Sequence, residues 1–339
     1  MMADHHKHLR AFAAVSFLIG IGACMLTNSE LSGWAKPVLK SCLDNSDKSS
    51  LSHAYIPWLG GFFVCMVTQF FHVVISSPAG SWLVVVTVSV FIPASIFASI
   101  ESGRVASDGS KKARLWVGHP CVVWLLGQIL GFGVVFPGIF VPAYLLGGGI
   151  LPNIHSSVDP RRIPMAVLLV FPMVFLTVVL CSISVDTFMW TLAAGIAGGP
   201  FWPIIFLILF PLKAKGDPLS TSKSAGLAYG FASFISLGLY VWSTFNLLTS
   251  YESYEFIFKA IHGETAHPAN KFMLLDAVGI LAGAVVLVSI RGKILGAGWS
   301  DGLLTLALSP FIGPGTAFGV ALMRQEFRTA TNILEKKKE

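Results

Sequence analysis

From Ile163 to Ser184 the chain runs without one charged side chain, and comparable apolar runs recur along most of its length. A hydrocarbon core ~30 Å thick takes about 20 consecutive apolar residues when a helix crosses it. Runs of that kind occupy residues 11–27, 55–75, 81–100, 119–147, 163–184, 187–212, 224–249, 272–290 and 303–322. Lipid offers no water to satisfy an open strand edge, so helices are the expected element. The sequence therefore predicts an all-α, polytopic transmembrane helical bundle of about eight or nine spans, forming a single domain over residues 1–339.

Composition leaves little room for a water-soluble globule. Hydrophobic residues make up 54% of the chain and charged residues 12%, with a mean hydropathy of +0.74. Soluble domains average about 25% charged residues. The net charge of +6 is spread over loops and tails, with no basic stripe of the kind that binds nucleic acid. Of the five cysteines, Cys42 alone falls outside an apolar run, so neither a disulfide framework nor a CxxC metal pair is expected. No internal repeat is visible in the sequence. The first run, after Lys7 and Arg10, reads as a retained anchor, since no clear small-residue cleavage site follows it.

Two signals bear on orientation. With nine spans, the 28–54, 101–118 and 250–271 loops and the C-terminal tail share one side, which is the richer in Lys and Arg. The positive-inside tendency puts that side in the cytosol. The chain also ends Lys336-Lys337-Lys338-Glu339, which matches a dilysine retrieval signal of the endoplasmic reticulum as well as an ordinary charged tail.

An ionisable side chain in lipid is costly, so it marks a candidate site. Asp276 sits just over a turn into the 272–290 run, with Gly279 and Gly283 following on the same helical face. Two small residues there would let a neighbouring segment approach closely. Glu101, Asp186 and Glu326 lie at span ends, on the same side as Asp276 in the nine-span arrangement, so four carboxylates are expected to ring one mouth of the bundle. Two acids held close in an apolar site share a proton, and a protonated acid is what Brønsted catalysis requires. Ordinary interfacial charge is the plainer reading of Glu101 and Asp186. Polar stripes at helical spacing run through Tyr229, Ser233, Ser236, Tyr240 and Ser243 and through Cys65, Thr68, Gln69, His72 and Ser76. They line a cavity or tie helix to helix. His72 has no second His at metal-ligand spacing, so no metal site is expected. Phosphate loops, GxSxG, HExxH and aspartate-rich diphosphate motifs are all missing, so no cofactor is expected and an enzyme here would start from a neutral substrate.

Three segments carry a resemblance. They are Gln128-Ile-Leu-Gly131-Phe-Gly-Val-Val-Phe-Pro137 running on to Tyr144, Phe272-Met-Leu-Leu-Asp276, and Gly313-Pro314-Gly315 running on to Arg324-Gln325-Glu326. Together they resemble the fungal membrane-bound terpene cyclases of the ascofuranone-cyclase type, which act in meroterpenoid pathways. The resemblance covers most of the chain from about residue 119. It departs from the family pattern at Phe201-Trp202-Pro203, where a Gln is missing, and at Arg324-Gln325-Glu326, where an adjacent Arg-Glu pair is split.

The resemblance implies an enzyme of secondary metabolism that protonates an epoxide or alkene of a prenylated, lipid-like substrate and closes rings through a carbocation. It implies Asp276 as proton donor and Glu326 as the acid that shares or positions the proton. Arg324 would balance their charge, and Tyr240 and Trp202 would line the pocket, with Gln128 and Tyr144 carried over from the first segment. A polytopic transporter and a non-catalytic membrane scaffold are the alternatives.

Overall fold

The computed structural model describes residues 2–44, 61–108, 117, 119–146, 156–184, 187–198, 216–251, 254–261, 266–336 and 338. The described chain is helical throughout, with no strand among these residues. In order the helices are α1 (Met2–Asp44), α2 (Gly61–Ile75), α3 (Pro78–Asp108), α4 (Pro120–Leu130), α5 (Phe132–Leu146), α6 (Arg162–Ser182), α7 (Phe188–Gly198), α8 (Pro218–Ser250), α9 (Tyr254–Ile261), α10 (Pro268–Ile294), α11 (Ser300–Ile312) and α12 (Pro314–Lys336). Stretches of α1, α3, α6, α8 and α10 are long and apolar enough to cross a membrane.

Large apolar side chains face outward on the bundle, on α8 and α11 among others. Phe311 is 79% exposed and Phe234 72%. Exposure on that scale suits a lipid solvent and would be an aggregation hazard in water.

The bundle has two distinguishable ends. Early α1 lies beside the turn after α10, where the Phe12 and Trp299 rings are 4.9 Å apart. The last turns of α3 and α10 meet α12 there, and Arg162 at the start of α6 donates to Ser102 Oγ on α3. The opposite end gathers the α2–α3 turn, the start of α10 and the far end of α1. Asn270 Nδ2 donates to Ser77 Oγ, and Val38 packs with Val74 and Ala269. Cys42 and Cys65 form a disulfide at this end, tying α1 to α2. That corrects the expectation of no disulfide: a cysteine on an apolar helix can still face another helix end 5.9 Å away, Cα to Cα.

The expected runs at 119–147 and 303–322 are each interrupted. Gly131 (φ 89°, ψ 139°) separates α4 from α5, and Gly313 (φ 86°, ψ 144°) separates α11 from α12. This region of backbone space is essentially reserved for glycine, so each glycine is what permits the break. After Gly313 the chain turns back on itself, since Asp301 on α11 lies against Gln325 and Arg328 on α12. After Gly131 it bends sharply enough to set Phe132 edge-on to Trp124, ring centres 5.4 Å apart.

A repeat unseen in the sequence emerges from this arrangement. The helices α3 and α10 both open on a proline, Pro78 and Pro268, and both carry an arginine near their last turn, Arg104 and Arg291. Each is followed by a helix broken at a positive-φ glycine with a second glycine two residues on, Gly131-x-Gly133 and Gly313-x-Gly315. The second helix of each unit packs on the central helix of the other half. A Cβ on Gly133 would collide with the Asp276 backbone, and one on Gly315 with the Ser89 backbone. Ser89 precedes Arg104 by the same fifteen residues that separate Asp276 from Arg291. The repeat is written in helix breaks and close approaches rather than in matched side chains, which is why the sequence hid it.

Candidate functional site

The face of α10 read from the sequence is the face that packs. Gly279 meets the backbone of Gly133, and Gly283 meets Pro137 and Phe136. A side chain on Gly279 would have to displace α5, and one on Gly283 would press on Phe136 and Pro137. Between them and the start of α10, Asp276 is buried with 5% of its surface exposed. Its Oδ1 accepts a hydrogen bond from the backbone N–H of Gly133 at 2.6 Å. That N–H belongs to the first turn of α5, one of the donors that a helix start leaves without a partner. The glycine break thus creates a donor in mid-bundle, and Asp276 meets it.

No salt bridge engages Asp276 among the described residues. Its neighbourhood is aromatic. Phe272 lies one turn earlier and reaches Gly131, while the Phe132 ring beside that glycine is tilted against Phe91 at 4.4 Å and edge-on to Trp124 at 5.4 Å. The Phe70 ring stands edge-on to Phe272 at 5.7 Å.

Glu101 and Glu326 are elsewhere and are already engaged. Arg104 donates to Glu326 through both terminal nitrogens, at 2.8 and 2.7 Å, and to Glu101 at 2.6 Å. Arg291 donates to Glu326 at 2.8 Å, and Tyr144 Oη donates to Glu101 at 3.0 Å. All four charged side chains are fully buried. Two carboxylates and two guanidinium groups make a neutral quartet that joins α3, α10 and α12. The Arg291 guanidinium also lies over the Phe97 ring, 5.3 Å from its centre. Tyr229 Oη, buried on α8, has no hydrogen-bond partner among the described residues.

The expected ring of four carboxylates does not form. Asp276 and Arg291 are fifteen residues apart on one helix, a rise of about 22 Å. Glu326, held on Arg291, is therefore too remote to share a proton with Asp276. A carboxylate clamped by two arginines has its lone pairs occupied and holds helices together rather than delivering protons. The role expected of Arg324 is also corrected. Its side chain is 40% exposed and approaches Asp301 at 3.9 Å, while Arg104 and Arg291 balance Glu326. Positions 324 and 326 differ by two on an α-helix and face different ways.

Tyr240 does not face Asp276. Its Oη donates to Pro310 O at 2.8 Å, and its ring covers Gly313 at the second helix break. Tyr144 is buried in the quartet and Gln128 is half-buried on α4. Asp186 and Trp202 lie outside the described residues. The Tyr229–Ser243 stripe mostly ties helices: Ser236 Oγ donates to Ser89 O, and Ser233 O accepts from Thr316 Oγ1.

Sequence reasoning missed Arg104, Arg291 and Asp301. The spacing of Glu101 and Arg104, three apart at the end of an apolar run, was a signal for the first. Comparison with protein-family models, with curated proteins and with solved structures returns no match.

Proposed function

We propose that this protein is a membrane-embedded terpene cyclase of secondary metabolism that starts the reaction with a proton from Asp276. The supporting observation is the isolation of that acid. Of the expected catalytic carboxyls among the described residues, Asp276 is the one with no cation against it. Gly133 fixes Oδ1, which leaves Oδ2 to carry and deliver the proton. The proton would pass to an epoxide oxygen or a terminal alkene carbon of a prenyl chain. Alkene electrons then close the ring onto the resulting cation, and the last cation is quenched by proton loss or by an internal oxygen. Phe272, Phe132 and Trp124 suit that chemistry, because aromatic faces stabilise positive charge. A prenylated substrate partitions into the bilayer and would reach the site between helices.

For the membrane arrangement we propose that α4–α5 and α11–α12 each enter and leave on one side, so the 119–147 and 303–322 runs are broken hairpins rather than single crossings. Helix α2 begins at the disulfide and ends at the α2–α3 turn, both at the same end of the bundle. Orientation then rests on two features. The end that holds both termini carries Arg161, Lys223, Lys293, Arg324, Arg328 and Lys336, and the other end carries Lys36, Lys40, Lys259 and Lys271. A disulfide persists in an oxidising compartment. Both support a cytosolic side for the termini and a luminal side for the Cys42–Cys65 end. The sequence reading agrees for the 101–118 loop and the C-terminal tail and differs for the 28–54 and 250–271 loops.

A carrier is the second reading. The duplicated helix breaks favour it, since paired interrupted helices surround the central sites of many transporters. Yeast microsomes bearing this chain, supplied with farnesylated phenol epoxides, test the first reading. Cyclised product supports it. Substrate consumed by none of a broad panel, with the chain correctly inserted, counts against it.

A further inference from the structure

A cavity of about 340 Å³ opens at the disulfide end, between the α2–α3 turn, the end of α6 and the upper part of α8. That is within the range that accommodates a small organic ligand. It lies on a different face of α3 from the one that meets α10. Two indole rings, Trp82 and Trp242, form its apolar wall. Trp82 is pinned, because its Nε1 donates to Thr244 Oγ1 on α8 at 3.1 Å. Among the described residues that line the cavity none is charged, so they offer nothing to neutralise an ionic headgroup.

The polar wall holds Ser76, Ser77, Ser81, Ser243 and Asn246. Ser77 Oγ accepts from Gly80 N–H and Asn270 Nδ2, and the other three serines have a definite sense. Ser76 Oγ donates to His72 O, Ser81 Oγ to Ile75 O, and Ser243 Oγ to Tyr240 O. Each hydroxyl has directed its hydrogen to a backbone carbonyl, so what it presents to the cavity is lone pairs. An occupant that brings a hydrogen-bond donor meets three acceptors on Ser76, Ser81 and Ser243, and a hydroxyl can also accept from the Asn246 amide, so an uncharged body with a free hydroxyl matches the wall.

We infer that this cavity binds a neutral amphiphile bearing a free hydroxyl, an alcohol or phenol with a hydrocarbon or aromatic body that stacks on Trp82 and Trp242. The inference goes beyond the reaction assigned to Asp276 and does not depend on it. Cys181 lines the same cavity as a free thiol and reports on occupancy. Cys24, also free but exposed far from it, serves as an internal reference.

The test uses the full chain in nanodiscs, N-phenylmaleimide, and mass-spectrometric readout of each cysteine. The probes are 4-octylphenol and its methyl ether, 4-octylanisole, which lacks the donor hydrogen. The phenol is expected to slow labelling of Cys181 and leave Cys24 unchanged. The ether is expected to need a roughly tenfold higher concentration for the same protection, the scale of one lost hydrogen bond. Ser243→Ala, a mild change, is expected to narrow the difference between the probes. Trp242→Leu is expected to weaken protection by both. Equal protection by phenol and ether, slowing of both cysteines together, or no protection of Cys181 would overturn the inference. The probe comparison runs on the unsubstituted chain, so a variant that fails to fold leaves the test intact.

Discussion

Substituting Glu326 by glutamine keeps the shape of the side chain and removes its charge. Glu326 accepts three hydrogen bonds of 2.7–2.8 Å from Arg104 and Arg291, all in a fully buried setting. The variant would leave two guanidinium groups facing Glu101 alone. Unit charges about 4 Å apart at an effective dielectric near 20 interact by roughly 4 kcal/mol. Mutational experience with buried pairs broken on one side gives about 3–5 kcal/mol. The two routes agree, and for a chain of this size the loss amounts to a drop of about 5 °C in the unfolding midpoint. The assay is thermal unfolding in detergent followed by intrinsic fluorescence, beside the double variant Arg104→Met/Glu326→Leu. The double variant removes one charge of each sign and leaves Glu101 beside Arg291, 3.7 Å apart. It should therefore recover most of the loss, with a residual cost of about 1–2 kcal/mol. A midpoint shift under about 2 °C for Glu326→Gln, or a double variant no better than the single one, refutes the quartet as a structural clamp.

Three further outcomes are expected. Gly131→Ala and Gly313→Ala each force a side chain into a glycine-only conformation, φ 89° and 86°. Each should cost about 1–3 kcal/mol and lower the monodisperse yield on size exclusion; unchanged yield for both contradicts the helix-break account. His267 caps α10, its Nδ1 accepting from Ala269 N, and burial lowers its pKa from the ordinary histidine value. The cap needs the neutral ring, so its contribution, about 0.5–1 kcal/mol, is present above the ordinary histidine range and lost as pH falls through the lowered value. His267→Asn should flatten that part of the pH–stability curve, and an unchanged curve counts against the cap. A glycosylation acceptor inserted after Asp44 should be modified in microsomes and one inserted after Lys336 should not; the reverse pattern inverts the proposed orientation.

The apolar runs made the helices legible. The runs over 81–100, 224–249 and 272–290 fall within α3, α8 and α10, and the run over 163–184 passes the end of α6 by two residues. Hydropathy sums residues without regard to backbone direction, so the breaks at Gly131 and Gly313 left no mark in it. The burial of Asp276 and the close packing at Gly279 and Gly283 were legible because a charge in lipid must face protein and small residues admit a neighbour. What Glu326 touches was not. Arg104 lies 222 positions away in the chain, and only the fold brings the two together. Arg324, two residues from Glu326, was the nearer cation in sequence and the wrong one in space. Cys42 and Cys65 failed for the same reason, because an apolar setting says nothing about which helix ends meet.

The most direct test of the account is turnover by Asp276→Asn. Microsomes carrying the unsubstituted chain and the variant at matched, membrane-inserted levels would receive the same farnesylated phenol epoxide, with cyclised product measured by mass spectrometry. The amide can still accept from Gly133 N–H through its carbonyl oxygen, so the fold should survive while the transferable proton is gone. The account predicts product from the unsubstituted chain and none from Asp276→Asn. Product formed by the variant at a comparable rate would contradict it.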